Sequence, residues 1–313
     1  MRRALLLLAL AAGCNADHPF AQPQVLGGRN VDAATLNRGR DVYQHYCRPC
    51  HGEDGDGKGF SAWALRPPPR DFTVALFKFA HVPTGSLPPD DELARIVRLG
   101  LEGTAMRPWD VPDRDLDAVV QYLKTFSPRW RDEKPAAAIA LSPDPFGPAR
   151  ADEAIALGRK VYHVKAQCMS CHPAYVTRAE LWQLSDRAIR DFSTEMYLAQ
   201  PKDSEYCLQW KPGWRKLDER ECALPVRLLP PDFLRDPLRS VHEGSELADL
   251  YRIIASGIPG ASMPTWKGAL PEAELWALAY YVRSLHDQRG TPAAEALRVQ
   301  LTGAANFAWK APP

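Results

Sequence analysis

Two stretches of the 313-residue chain put thiols and an imidazole at a spacing suited to one particular chemistry. They are Cys47-Arg48-Pro49-Cys50-His51 and Cys168-Met169-Ser170-Cys171-His172. Two thiols three positions apart lie on neighbouring edges of a helical turn. They can add to the two vinyl groups of one porphyrin, and the next histidine can then offer its ring to the iron. C-x-x-C-H is the attachment signature of c-type haem. Zinc is the chemical rival for Cys and His. One such motif closes a tetrahedron poorly, because its histidine is held next to the second thiol. The sequence therefore predicts two haem c groups, attached through Cys47 and Cys50 and through Cys168 and Cys171. His51 and His172 are the proximal ligands.

An iron held by histidine has a second axial position, and a thioether there favours the reduced state. Met106 stands in Gly103-Thr104-Ala105-Met106-Arg107-Pro108-Trp109, a loop context rather than an apolar helical face. Met263 stands three positions before Trp266, as Met106 does before Trp109. A methionine that only filled core space would have no reason to recur at that offset. Met106 and Met263 are the expected distal ligands.

Elements must position these groups. Asp32 and Thr35 can start a helix on which Leu36, Gly39, Val42, Tyr43 and Tyr46 repeat at helical spacing up to Cys47. Gly39 allows a second helix to approach closely, and Asp115 to Phe126 is the expected partner. Gly52 to Gly59 reads as a flexible turn. It lacks the closing glutamate of a calcium loop and the G-K-S/T of a phosphate loop. Pro67 to Phe72 can be neither helix nor central strand and reads as an extended wall. Asp90 to Leu99 reads as a helix ended by Gly100 and Gly103.

The second half repeats the first. Gly39-Arg40-Asp41-Val42-Tyr43 recurs as Gly158-Arg159-Lys160-Val161-Tyr162. Pro69-Arg70-Asp71-Phe72 recurs as Pro231-Asp232-Phe233, Glu92 to Ile96 as Glu246 to Leu250, and the closing helix as Glu274 to Leu285. Two extra residues separate Tyr162 from Cys168. An insertion over about 174–229 carries Trp210, Trp214, Cys207 and Cys222, and reads as a stapled surface excursion. The expected organisation is a first domain over 25–131, a stiff Pro/Ala-rich linker over 132–150, a second domain over 151–288 and a tail over 289–313.

The ends and the composition set the setting. Arg2 and Arg3 precede a short Leu/Ala run, the shape of a signal peptide. Residues 1–14 close on Ala11-Ala12-Gly13-Cys14, which resembles a bacterial lipobox, with Ala11 where Leu is usual. Cys14 is then an expected lipid attachment site, tethering the protein to a membrane from the periplasm. Seven cysteines divide into four for haem, Cys14, and Cys207 with Cys222, an even remainder that fits a disulfide in an exported chain. Such a bridge would contribute roughly 3 kcal/mol in the loop-entropy model. A net charge of +1 carries no nucleic-acid footprint.

At these motifs the chain resembles tandem dihaem class I cytochromes c, from about Val31 to Phe126 and from Ala151 to Leu285. The resemblance implies an all-α fold of two small domains, each wrapped on one haem with His and Met axial ligands. It implies electron transfer between redox protein partners, or within a respiratory membrane complex, rather than catalysis. The rival class is a dihaem enzyme such as a peroxidase or a thiosulfate dehydrogenase, with one iron open or given another ligand. His45, His81, His163 and His242 are candidates for that ligand, as is an unpaired Cys207 or Cys222. A haem-based sensor is the third class, but no fused output domain is visible.

Overall fold

The computed structural model describes residues 19–185, 197–200, 202–210 and 222–302. Helix dominates. In chain order the helices are α1 (Ala33–Tyr46), α2 (Arg48–His51), α3 (Asp90–Leu99), α4 (Asp113–Lys124), α5 (Arg129–Asp132), α6 (Ala151–Lys160), α7 (Arg178–Ser185), α8 (Glu246–Ser256), α9 (Glu272–His286) and α10 (Pro292–Thr302). The expectation of helix alone needs correcting. Two antiparallel hairpins are present, β1 (Gln24–Leu26) with β2 (Arg29–Val31) and β3 (Lys202–Trp210) with β4 (Cys222–Leu228).

Two apolar clusters divide the interior. The first is built on Leu36, Tyr43, Phe72, Leu93, Val119 and Trp130. The second is built on Tyr162, Tyr175, Phe233, Leu250, Leu275 and Tyr281. Each is organised by one helix crossing made possible by a missing side chain. A Cβ at Gly39 would lie 2.1 Å from the Ala118 carbonyl oxygen. A Cβ at Gly158 would lie 2.0 Å from that of Ala277. Thus α1 rests directly on α4, and α6 on α9. The Asp32 carboxylate caps α1 by accepting from Thr35 N at 2.8 Å.

In four segments the structure adds to the sequence-based reading. The two extra residues before Cys168 are taken up by a five-residue π-helical turn, Val161–Lys165, and by Gln167 at φ 50°. A π turn absorbs added residues without breaking a helix. The insertion does not begin as a surface excursion, because Ala174, Tyr175, Val176 and Leu181 are buried in the second cluster. The stretch 132–150, expected as a stiff linker, lies packed as a strap. Ala136 N donates to Leu87 O and Ile139 N to His81 O, while Phe146 joins the second cluster. The expected tail carries α10, whose Ala294 is buried in that cluster.

The halves meet along a polar seam. Glu102 N donates to Arg239 O at 2.8 Å, and Thr84 N to Thr265 Oγ1 at 3.2 Å. The Thr84 hydroxyl donates to Ser256 O, and Arg289 pairs with Glu102 at 3.6 Å. No helix among the described residues is long and apolar enough to cross a membrane.

Candidate haem-binding sites

Both C-x-x-C-H stretches close the same backbone turn. Cys47 O accepts from Cys50 N at 3.2 Å and from His51 N at 2.9 Å. Cys168 O accepts from Cys171 N at 3.1 Å and from His172 N at 2.9 Å. All four thiols are free and half-buried. Burial pushes the thiols of Cys47 and Cys168 up to about 12, so they carry no charge.

Each motif histidine is oriented by a distant backbone carbonyl. His51 Nδ1 donates to Arg70 O at 3.0 Å, and His172 Nδ1 to Pro231 O at 3.0 Å. Each ring also lies flat against the phenyl ring two residues beyond that carbonyl. Phe72 stacks on His51 with centroids 4.4 Å apart, and Phe233 on His172 at 4.8 Å. Fixing Nδ1 sets the tautomer and leaves Nε2 as the nitrogen available to a metal. Burial pulls the His51 ring down to about 4, against the partial support of the Arg70 carbonyl, and lowers His172 in the same sense. The rings are therefore neutral, the form in which imidazole ligates iron. Free paired thiols beside a neutral, oriented imidazole fit a covalently attached haem.

Loops fasten this arrangement. The Tyr43 hydroxyl donates to Gly52 O at 2.7 Å, and the Tyr162 hydroxyl to Pro173 O at 2.9 Å. Gly52 to Gly59, read from sequence as flexible, is tied back onto the first motif. Gly57 N donates to His51 O, Gly59 N to Cys50 O and Phe72 N to Gly55 O.

Met106 and Met263 are half-buried on matching loops. Leu101 N donates to Met106 O at 2.7 Å, and Ile258 N to Met263 O at 3.1 Å. The preceding glycines, Gly100 at φ +67° and Gly257 at φ +71°, would each place a Cβ 2.7 Å from the methionine carbonyl oxygen. Only glycine lets the helix end pass so close to the loop. These glycines also correct the repeat register. Glu92 matches Asp249 and Arg95 matches Arg252, one helical turn from the sequence pairing of Glu92 with Glu246. The structure supports this match independently, since His81 Nδ1 lies 3.1 Å from Glu92 and His242 Nδ1 lies 3.0 Å from Asp249.

The other candidate histidines differ in their surroundings. Both ring nitrogens of His163 are engaged, with Arg159 O at 2.8 Å and Tyr175 N at 3.2 Å. His81 and His242 face the carboxylates just named, and His45 lies exposed against the Tyr46 ring. No group of three or more His, Cys, Asp or Glu side chains among the described residues could hold a metal ion. Cys207 is opposite Pro225 in the hairpin and Cys222 opposite Trp210. Their side chains, and Cys14, lie outside the described residues.

The Arg70 and Pro231 carbonyls escaped the sequence reading because a backbone acceptor has no residue signature. The recurrence of Pro69 to Phe72 as Pro231 to Phe233 was the available signal.

Comparison with known proteins follows the same residues. The family model described as cytochrome C oxidase, cbb3-type, subunit III matches residues 34–123. A chain of the solved structure titled Kuenenia stuttgartiensis reducing HAO-like protein complex Kustc0457/Kustc0458 is similar at 28% identity and a TM-score of 0.60. The match covers 79% of this chain and 95% of that one. A search of curated proteins found no match. Residues 34–123 thus match a cytochrome c family model, and a cytochrome c domain implies covalently bound haem c.

Proposed function

We propose that the chain is a dihaem cytochrome c with two tandem domains, which passes electrons between redox protein partners on the periplasmic side of a membrane. The observation that carries this reading is the duplicated site. The second motif has the same turn, the same histidine-to-carbonyl bond and the same stacked phenyl ring as the first. Cys47, Cys50, His51 and Met106 would hold one haem. Cys168, Cys171, His172 and Met263 would hold the other. Bound haem supplies a one-electron iron couple.

The protein would hold one iron through His51 and Met106 and the other through His172 and Met263, exclude other ligands, and set the two potentials through burial and hydrogen bonding. Iron so held by two side chains would suit electron transfer rather than substrate turnover. The engagement of both ring nitrogens of His163 by protein groups favours that reading over a dihaem enzyme that uses this histidine. The similar chain comes from a structure of a reducing HAO-like protein complex, which supports work alongside a redox partner or as a complex subunit. Lipidation at Cys14 would tether the protein to the membrane.

The test is intact mass together with the optical spectrum of the protein purified from membranes. The expected result is two porphyrins per chain, a diacylglyceryl group on Cys14 and a far-red methionine-to-iron band from both haems. One porphyrin, or no far-red band, sinks the dihaem Met-capped reading. Rapid carbon monoxide binding by the reduced protein would favour an enzyme.

A further inference from the structure

The loops that carry Met106 and Met263 do not rest on their own halves alone. Leu101 N closes the first loop by donating to Met106 O at 2.7 Å. The next residue, Glu102, turns to the opposite half, and its N–H donates to Arg239 O at 2.8 Å. Gly103 follows at φ +69°, where a Cβ would lie 2.5 Å from Pro237 Cγ. The Met106 loop therefore lies directly on residues 237–239 of the second half. Arg289 adds a pair with Glu102 at 3.6 Å, but both side chains are well exposed and such a pair contributes little.

The converse contact comes from the first half. Thr265 stands two residues after Met263. Its hydroxyl donates to Ser256 O at 2.8 Å and accepts from Thr84 N at 3.2 Å. The Thr84 hydroxyl donates to the same Ser256 carbonyl at 3.3 Å. Ser256 is buried and immediately precedes Gly257, the glycine that passes beneath the Met263 carbonyl. Thr84 thus bonds both ends of the Met263 loop, across 181 and 172 residues of sequence.

A loop with few bonds of its own opens at little cost, so what it rests on decides how firmly its methionine is held. One hydrogen bond is worth about fivefold in such an opening equilibrium. We infer that each half braces the distal-ligand loop of the other, with Thr84 positioning the Met263 loop and Pro237, with the Arg239 carbonyl, positioning the Met106 loop. This rests on the reading of Met106 and Met263 as the distal ligands of two haems. Thr84 and Pro237 are positioning residues, and each acts on the iron of the opposite half.

The test uses the full porphyrin-loaded protein, and intact mass first counts the porphyrins. In the reduced protein each iron-bound methionine gives its own methyl proton resonance. Met106→His and Met263→His each remove one and so assign the pair. One resonance or none in the unsubstituted protein overturns the ligand reading, and the bracing with it. With both present, added carbon monoxide takes each iron only as its methionine leaves, so the decay of each resonance reports the opening of its loop. Thr84→Val keeps the side-chain shape and drops the hydroxyl. It should speed decay of the Met263 resonance about fivefold and leave that of Met106 unchanged. Pro237→Gly should speed decay of the Met106 resonance alone. Thr84→Ser, which keeps the hydroxyl, should restore the ordinary rate. Faster decay in the substituted half, in both halves alike, or in neither overturns the proposal.

Amide hydrogen exchange in the unsubstituted protein gives a second measurement that does not depend on any variant folding. Thr84 and Glu102 are exposed residues whose amide hydrogens are bonded across the seam. Both should exchange at least about fivefold more slowly than the free-chain rate. Free-chain exchange at either amide removes the brace on that side and overturns the proposal.

Discussion

The Tyr43 hydroxyl donates to the Gly52 carbonyl at 2.7 Å, tying the helix before the first haem motif to the residue just after its histidine. Tyr43 is fully buried, and burial together with nearby acidic groups raises its phenol far above the ordinary range, so it stays a donor. Tyr43→Phe removes the donor and leaves the acceptor unpaired. We expect about 1–3 kcal/mol of lost stability, read by thermal unfolding of the haem-loaded protein. An unchanged midpoint would show that the bond does not hold the motif.

The helix crossings allow no side chain at Gly39 or Gly158. An added Cβ would meet backbone oxygen, which cannot swing aside as a flexible side chain can. Gly39→Ala and Gly158→Ala should each cost at least 1–3 kcal/mol, the usual range for overpacking. Asp41→Ala, exposed on the same helix, should stay within about 0.5 kcal/mol. Denaturant midpoints of the three variants decide the matter, and equal midpoints would count against the tight crossing.

The methionine loops depend on the glycines that precede them. Gly100→Ala and Gly257→Ala should push the loops away and weaken the far-red band of one haem each. Met106→His and Met263→His should lower the matching midpoint potentials, because a thioether stabilises the reduced iron. Potentials left where they were would remove Met106 and Met263 from the ligand set.

Acid sensitivity should centre on Asp90 and Lys124. The Lys124 ammonium is buried, bonded to Asp90, and donates to Gln121 at 2.8 Å. Burial raises Asp90, but bonds from Lys124, Gln121 and Arg29 outweigh it and hold the carboxyl below its usual value. A lowered folded-state value means that the contribution is present above the unfolded pKa near 4 and is lost as pH falls through the folded one. Asp90→Asn strands the buried ammonium. It should cost about 3 kcal/mol at pH 7, the low end for breaking a buried pair, because Asp90 is partly exposed. Stability measured from pH 7 to pH 3 should fall less steeply in this variant. An equal slope would place the acid sensitivity elsewhere.

What the sequence by itself determined was the local chemistry. Two thiols and the imidazole that follows them identify each motif without reference to anything distant. The span Asp90 to Leu99 was legible to the residue, because its apolar spacing and terminal glycine are local signals. Tertiary structure alone decided what orients those groups. The carbonyls of Arg70 and Pro231 bond their histidines across 19 and 59 residues, and any residue type can supply a carbonyl. The match of Glu92 to Asp249, the packing of the strap over 132–150, the burial of Ala174 to Val176 and the docking of α10 belong to the same class. Each depends on which surfaces meet after the chain has folded back on itself. Residue type and spacing record the bonds a group can make, whereas only the folded chain selects the partner that arrives.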